Sequence, residues 1–205
     1  MKQMLIITGP QGSGNHVFSK CFALHEDVFG WQSLVNQVWE GHHHEPFADC
    51  WHNPELLHDF DWDQSEYFVT SVSTPYVKNK VEHTPDYVAF AYHASKFCKV
   101  QFAVIGRDKT ILKNQQERVR GKATLETALD SLHSVHYNTQ YLSQELLMLY
   151  KENYLKGLAN NLNIPVAYWH PELNNILAED ANEKYINKVD SHWLDDYVFK
   201  AIKES

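Results

Sequence analysis

Short apolar runs separated by longer mixed segments dominate the hydrophobic pattern of this chain. The runs lie at 4–8, 67–73, 100–105 and 166–169, and each ends at polar or turn-forming residues, as strands buried on both faces do. Helical periodicity is predicted over 15–24, 84–97, 109–120, 125–132 and 143–162, and again from Pro171 onward. This alternation predicts an α/β protein with a mostly parallel central sheet flanked by helices.

Local signals define the predicted helices further. Thr84 and Pro85 have the residue types of a helix cap and a first helical position. Residues 31–66 are polar and aromatic with weak periodicity, which predicts a helix near 31–39 followed by a long excursion within a single domain spanning 1–205. The buried side of the helix at 143–162 is predicted to comprise Leu146, Leu149, Tyr150, Tyr154 and Leu158.

Composition narrows the class of protein. Hydrophobic residues make up 43% of the 205 positions, enough for a sizeable core, and the formal net charge of -8 disfavours general binding to nucleic acid. Without a long apolar span we expect no membrane insertion. Cys21, Cys50 and Cys98 are widely spaced, which indicates reduced thiols in a cytoplasmic protein rather than a zinc site.

A glycine-rich turn follows the first predicted strand. Residues 9–14, Gly-Pro-Gln-Gly-Ser-Gly, have the GxxxxG spacing of a phosphate-binding loop, and a helix start comes next. An ATP-hydrolysing loop continues with Lys and then Ser or Thr, but here Asn15 and His16 follow. Kinase or ATPase chemistry is therefore disfavoured. A tight strand-to-helix turn without a ligand is the alternative.

An arginine-rich turn follows the strand at 100–105. All three arginines of the chain, Arg107, Arg118 and Arg120, lie in this region, and Arg107 comes directly after the strand. A guanidinium there suits a forked contact to a phosphate. Helical spacing predicts one basic face from Lys109, Lys113, Gln116 and Arg120, with Ile111, Leu112 and Val119 packed inward. A solvated basic face that binds nothing is the alternative.

Both polar turns follow strands of one predicted parallel sheet. Ligands of such sheets bind beyond the carboxyl ends of the strands. We therefore expect the glycine turn and Arg107 to face a single phosphate-bearing ligand.

Together these two motifs resemble those of the P-loop sulfotransferases. That family holds the 5′-phosphosulfate of 3′-phosphoadenosine 5′-phosphosulfate in a degenerate loop after its first strand. It holds the 3′-phosphate with an Arg at the end of a later strand and a polar residue about two helical turns further on, and Arg107 and Gln115 match these positions. The stretch from Gly106 to Arg120 is also similar to sulfotransferase-like proteins encoded by tailed bacteriophages, which implies a host cytoplasm if the chain is viral.

The resemblance implies a three-layer P-loop-type fold and a sulfuryl transfer that uses 3′-phosphoadenosine 5′-phosphosulfate and no metal. Its acceptor would be a small or glycan-like hydroxyl or amine compound, bordered by 31–66. Ser73 stands where many members have a catalytic His two residues before Pro. His16 starts the helix beside the expected anion and could donate to it, with a helix-capping or core histidine as the alternative. The candidate catalytic residues are therefore His16 and Ser73. The candidate cofactor-binding residues are Gln11, Gly12, Ser13, Gly14, Asn15, His16, Arg107, Gln115 and Arg120.

This chain departs from the family pattern in two places. Gly12 replaces the usual basic loop residue, and the middle-strand His is missing. A non-catalytic nucleotide-binding or interaction protein is thus the main alternative, and a divergent nucleotide kinase a weaker one. Lys109, Lys113 or His16 would have to supply the missing positive charge.

A few further residues have two possible roles. The run His42-His43-His44 suits a polar loop better than a metal site, because adjacent side chains do not face one point. Trp51 and Trp62 are either core residues or an aromatic surface for the acceptor. Ser143 and Glu145 either begin a helix near the ligand or only cap it.

Overall fold

A parallel sheet forms the centre of the computed structural model, which describes residues 1–30, 47–135 and 138–178. Its five strands lie in the order β2-β3-β1-β6-β7, and all of their pairings are parallel. A separate antiparallel hairpin consists of β4 and β5. The strands are β1 (Gln3–Pro10), β2 (Val28–Phe29), β3 (Tyr67–Thr74), β4 (Tyr76–Lys78), β5 (Val81–His83), β6 (Lys99–Gly106) and β7 (Thr139–Ser143).

Helices cover both faces of this sheet. They are α1 (Asn15–Ala23), α2 (Tyr87–Ala94), α3 (Lys109–Arg120), α4 (Leu125–Leu132), α5 (Gln144–Leu162) and α6 (Pro171–Ala178). The alternating side chains of β1 explain the layers: Leu5 and Ile7 pack in one core with α1, α5 and α6, while Met4 and Ile6 pack in the other with α2. The expected three-layer α/β architecture is confirmed.

The strand register brings four strand ends to one edge of the sheet. Gly9 in β1 pairs with Ser73 in β3, and Thr8 pairs with Val104 in β6. Gly106, the last residue of β6, pairs with Ser143 of β7. The turns after β1 and β6 therefore leave the sheet side by side.

The last strand of the sheet differs from the sequence prediction. Residues 166–169 form no strand, and 168–169 are a turn, so that prediction was wrong. The edge position is taken by β7, whose sequence Thr-Gln-Tyr-Leu-Ser has only one buried residue, Leu142. An edge strand that pairs on one side needs no apolar run, and this one gave no such signal.

Two helices also differ from their predicted form. The cap of α2 is Asp86, whose carboxylate accepts from Ala89 N at 2.9 Å, so Thr84 and Pro85 lie before the helix. Lys151 has non-helical angles (φ 46°, ψ -123°) and interrupts α5. The buried face also differs from the prediction: Leu146, Leu149 and Tyr150 are exposed, Leu158 is buried as expected, and Leu147 and Leu155 enter the core.

The described part of the predicted excursion is a core element. Residues 47–66 contain two short 3-10 helices, Pro54–His58 and Trp62–Gln64. Trp51 stacks on Phe90 with ring centroids 3.8 Å apart, and Trp62 donates its indole N–H to Leu57 O at 2.8 Å. Both indoles are buried, so they do not form an exposed acceptor surface. The helix predicted near 31–39 and the run His42-His43-His44 lie outside the described residues.

Among the described helices, none combines the length and hydropathy that a bilayer span requires.

Candidate functional site

The glycine turn joins β1 to α1 with the geometry of an anion-binding loop. A backbone bond from Ser13 N to Pro10 O (3.0 Å) closes the turn. Gly12 and Gly14 have positive φ angles of 87° and 105°, which glycine adopts at low cost. Gly14 is the N-cap of α1 and has no side chain that could accept a hydrogen bond. The first backbone amides of α1 therefore have no side-chain cap.

Arg107 lies directly against this loop. Its Nη1 donates to the carbonyl oxygen of Gly12 and to Oε1 of Gln115, the second at 2.9 Å. The guanidinium is half-buried, and Gln115 also covers Gly12: a Cβ on that glycine would lie 3.0 Å from Gln115 Oε1. The two turns that the sequence suggested would share a ligand are thus in contact.

A buried glutamine of α3 fixes the loop to the following turn. Gln116 Nε2 donates to Gln11 O at 2.8 Å, and Gln116 Oε1 accepts from Thr124 N at 2.8 Å. Gln116 is fully buried, so it does not belong to a solvated basic face. Leu112 is buried as expected, but Ile111, also expected inside, is 38% exposed. The side chain of Val119, the third predicted inward residue, lies outside the described part of the structure.

We predict that Gln116→Met lowers the free energy of unfolding by about 2–4 kcal/mol, because two buried backbone groups lose their partners. Urea denaturation of both proteins measures this difference. Lys113→Met provides the control one helical turn away, where the side chain is exposed, and it should change the stability by less than ~0.5 kcal/mol. Equal effects of the two substitutions would contradict the proposed role of Gln116.

Asn15 replaces the lysine of an ATP-binding loop and connects the loop to β3. Its Nδ2 donates to Val72 O (3.3 Å) and Ser73 Oγ (3.1 Å), while its Oδ1 accepts from Ser13 Oγ at 3.1 Å. Asn15 and Ser13 are buried. Ser73, the candidate catalytic residue at the end of β3, therefore contacts the loop through Asn15.

Three further candidate residues lie on α1 and α3. His16 is the second residue of α1 and is half-buried. Arg120 ends α3, and its side chain lies outside the described part of the structure. Lys109 is a possible source of the positive charge that the loop lacks. Its side chain is exposed, and its Nζ lies 3.6 Å from Glu126 Oε1.

Residues at the start of α5 support the arginine turn. Glu145 Oε1 accepts from Asp108 N at 2.9 Å, and its Oε2 accepts from Ser143 Oγ at 3.1 Å. Ser143 also caps α5 by accepting from Leu146 N at 3.2 Å. Ser143 and Glu145 thus both cap backbone groups and lie beside Arg107.

Tyr87 packs beneath the loop and remains neutral. Its hydroxyl lies 2.7 Å from Thr8 Oγ1, whose other contact is Val72 O at 2.8 Å. Burial raises the pKa of Tyr87 to about 12, so its phenol does not ionise near neutral pH. Thr8 and Tyr87 are therefore supports for the ends of β1 and β3.

Within the described ranges, no group of three or more His, Cys, Asp or Glu side chains is arranged to hold a metal ion. A groove of about 520 Å³ lies elsewhere, lined in part by Tyr67, Asn160 and Trp169. Tyr67 begins β3, so this groove lies at the opposite end of that strand from the loop.

Comparison with known proteins supports the fold. No protein-family model and no curated protein sequence matches the chain. Among solved structures it is similar to the sulfotransferase domain of the Synechococcus PCC 7002 olefin synthase, with a TM-score of 0.51 and 10% identity over 88% of this chain and 82% of that one. The central parallel sheet flanked by helices is therefore a fold that this chain shares with a sulfotransferase domain.

Two further structures are more distant. The sulfotransferase domain from the curacin biosynthetic pathway has a TM-score of 0.44 and 11% identity, covering 84% of this chain and 77% of that one. A sugar kinase from Janibacter sp. HTCC2649 has a TM-score of 0.45 and 12% identity, covering 80% of this chain and 96% of that one.

Proposed function

We propose that this protein is a sulfotransferase that binds 3′-phosphoadenosine 5′-phosphosulfate between the glycine loop and Arg107. The acceptor is a hydroxyl or amine compound of small-molecule or glycan-like chemistry. The observation that carries the proposal is the contact of the Arg107 guanidinium with Gly12 and Gln115. It brings a forked cation and a helix N-terminus together, and each of these binds phosphate groups.

The loop and the arginine turn suit opposite ends of such a ligand. The uncapped start of α1, with backbone amides of residues 12–16, suits the 5′-phosphosulfate. Arg107 and Gln115 suit the 3′-phosphate, with Arg120 as a further candidate from the same helix. When bound, this nucleotide supplies the sulfuryl group that is transferred.

His16 and Ser73 are the proposed catalytic residues, because both belong to the sheet edge where the loop lies. An imidazole can accept a proton from the acceptor at neutral pH. The Ser73 hydroxyl accepts a hydrogen bond from Asn15 at 3.1 Å. Its proposed role is to orient an acceptor group near the loop.

One observation favours a second candidate function, nucleotide binding without catalysis. Asn15, at the lysine position of related loops, is buried and hydrogen-bonded to the end of β3, so its side chain supports the fold. Sulfuryl transfer would then need its stabilising charge from Lys109, Lys113 or His16, because Arg107 is assigned to the 3′-phosphate.

Thermal unfolding with three nucleotides tests the proposal. We expect adenosine 3′,5′-bisphosphate, at about 100 times its dissociation constant, to raise the melting temperature by roughly 5–10 °C. Adenosine 5′-monophosphate, which lacks the 3′-phosphate, and ATP with magnesium should have smaller effects. An equal or larger effect of ATP with magnesium would contradict the proposal and favour a kinase. Transfer of radiolabelled sulfate separates the enzyme from the non-catalytic binder.

A further inference from the structure

Gln144, the first residue of α5, has a buried carboxamide next to the glycine loop. Only 2% of the residue is exposed, and a Cβ added to Gly14 would lie 2.1 Å from Gln144 Oε1. The side chain therefore lies directly against the N-cap of α1. Nothing in the sequence pattern distinguishes Gln144, because it is one of many polar residues at predicted helix starts.

The carboxamide oxygen of Gln144 has no hydrogen-bond partner among the described residues. Buried polar atoms are normally paired, because an unpaired one loses its hydration without compensation. Gln101 is also buried, but both ends of its carboxamide are paired. Its Nε2 donates to Leu162 O at 3.1 Å, and its Oε1 accepts from Asn138 Nδ2 at 3.3 Å. The unpaired carboxamide oxygen of Gln144 thus lowers the stability of the ligand-free protein.

We propose that Gln144 is a ligand-contacting residue of the loop, and that its carboxamide donates to the anion held at Gly14. Rotation of the carboxamide exchanges its oxygen and nitrogen with little change in shape, so Nε2 can take the position of Oε1. It then provides a neutral donor beside the start of α1, in a loop with no lysine at Gly12 or Asn15. This inference rests on the proposed function, because it concerns the same anion site.

The substitution Gln144→Met separates a ligand contact from a structural role. Met has a similar length and no polar atom, so it removes the unpaired buried oxygen. We expect the melting temperature of the ligand-free protein to rise by at least ~2 °C. We expect the dissociation constants for adenosine 3′,5′-bisphosphate and for inorganic pyrophosphate to rise roughly tenfold, because a hydrogen bond to a charged group is lost.

Gln101→Met is the matched control, because it removes a buried carboxamide whose two ends are paired. It should lower the melting temperature and leave both dissociation constants unchanged. Calorimetric titration and thermal unfolding provide the two readouts. If Gln144→Met lowers stability, or leaves the affinity for both anions unchanged, the assignment of Gln144 is overturned.

Binding of pyrophosphate and of the bisphosphate to the wild-type protein separates a failure of the proposed function from a failure of the Gln144 assignment. If the wild-type protein binds pyrophosphate but not the bisphosphate, the proposed function fails, and Gln144 is judged on pyrophosphate alone. If the wild-type protein binds neither anion, the proposed function and the role of Gln144 are both contradicted.

Discussion

Replacing Arg107 with alanine is expected to weaken binding of adenosine 3′,5′-bisphosphate by about 100-fold, or ~2.7 kcal/mol. The physical reason is the loss of a charge-assisted, forked contact to the 3′-phosphate, which no neutral side chain replaces. The same change removes the hydrogen bonds from Arg107 Nη1 to Gly12 and Gln115. Calorimetric titration measures the affinity, and the melting temperature without ligand measures any loss of loop stability.

Two further variants show whether the lost affinity of Arg107→Ala comes from the forked contact or from a change in net charge. Arg107→Lys retains the charge but not the fork, so we expect an intermediate affinity. Lys96→Ala removes one positive charge near the start of β6, at the other end of the sheet, and should leave the affinity unchanged. If Arg107→Ala binds as tightly as the wild-type protein, Arg107 does not hold the nucleotide.

Gly14→Ala is expected to lower the free energy of unfolding by about 3 kcal/mol. The φ angle of 105° costs a non-glycine residue about 1–2 kcal/mol, and the crowding adds about 1–3 kcal/mol, because the new Cβ would lie 2.1 Å from Gln144 Oε1. Urea denaturation gives the difference.

A second glycine provides the control for Gly14. Gly157 lies within α5, and a Cβ added there meets nothing within 4 Å. Gly157→Ala should therefore raise the free energy of unfolding by roughly 0.5–1 kcal/mol. Adding Gln144→Ala to Gly14→Ala should recover the crowding part of the loss but not the backbone part. A neutral Gly14→Ala would show that the loop does not need its left-handed residue.

The elements predicted from sequence are those with strong local signals. β1, β3 and β6 have apolar runs that are buried on both sides, and α4 has the predicted bounds Leu125–Leu132. The strand β7 and the break at Lys151 could not be predicted in this way. An edge strand lacks an apolar run, and a single residue with φ of 46° leaves no trace in the periodicity.

In the candidate site, too, only the residues with local sequence signals were predicted. The GxxxxG spacing and the position of Arg107 after a strand are local patterns, and the structure places these residues in contact. Gln116 and Gln144 are uncharged residues whose roles depend on partners distant in the chain, Gln11 and Gly14. Periodicity alone assigned Gln116 to a basic face, because residue spacing does not distinguish a buried carboxamide from a solvated one.

A crystal structure with adenosine 3′,5′-bisphosphate tests most directly whether the glycine loop and Arg107 form one nucleotide site. We expect the 5′-phosphate at the backbone amides of residues 12–16 and the 3′-phosphate within hydrogen-bonding distance of the Arg107 guanidinium. A nucleotide bound away from the glycine loop, or one whose 3′-phosphate lies far from Arg107, would contradict the central claim that these two turns form one nucleotide site.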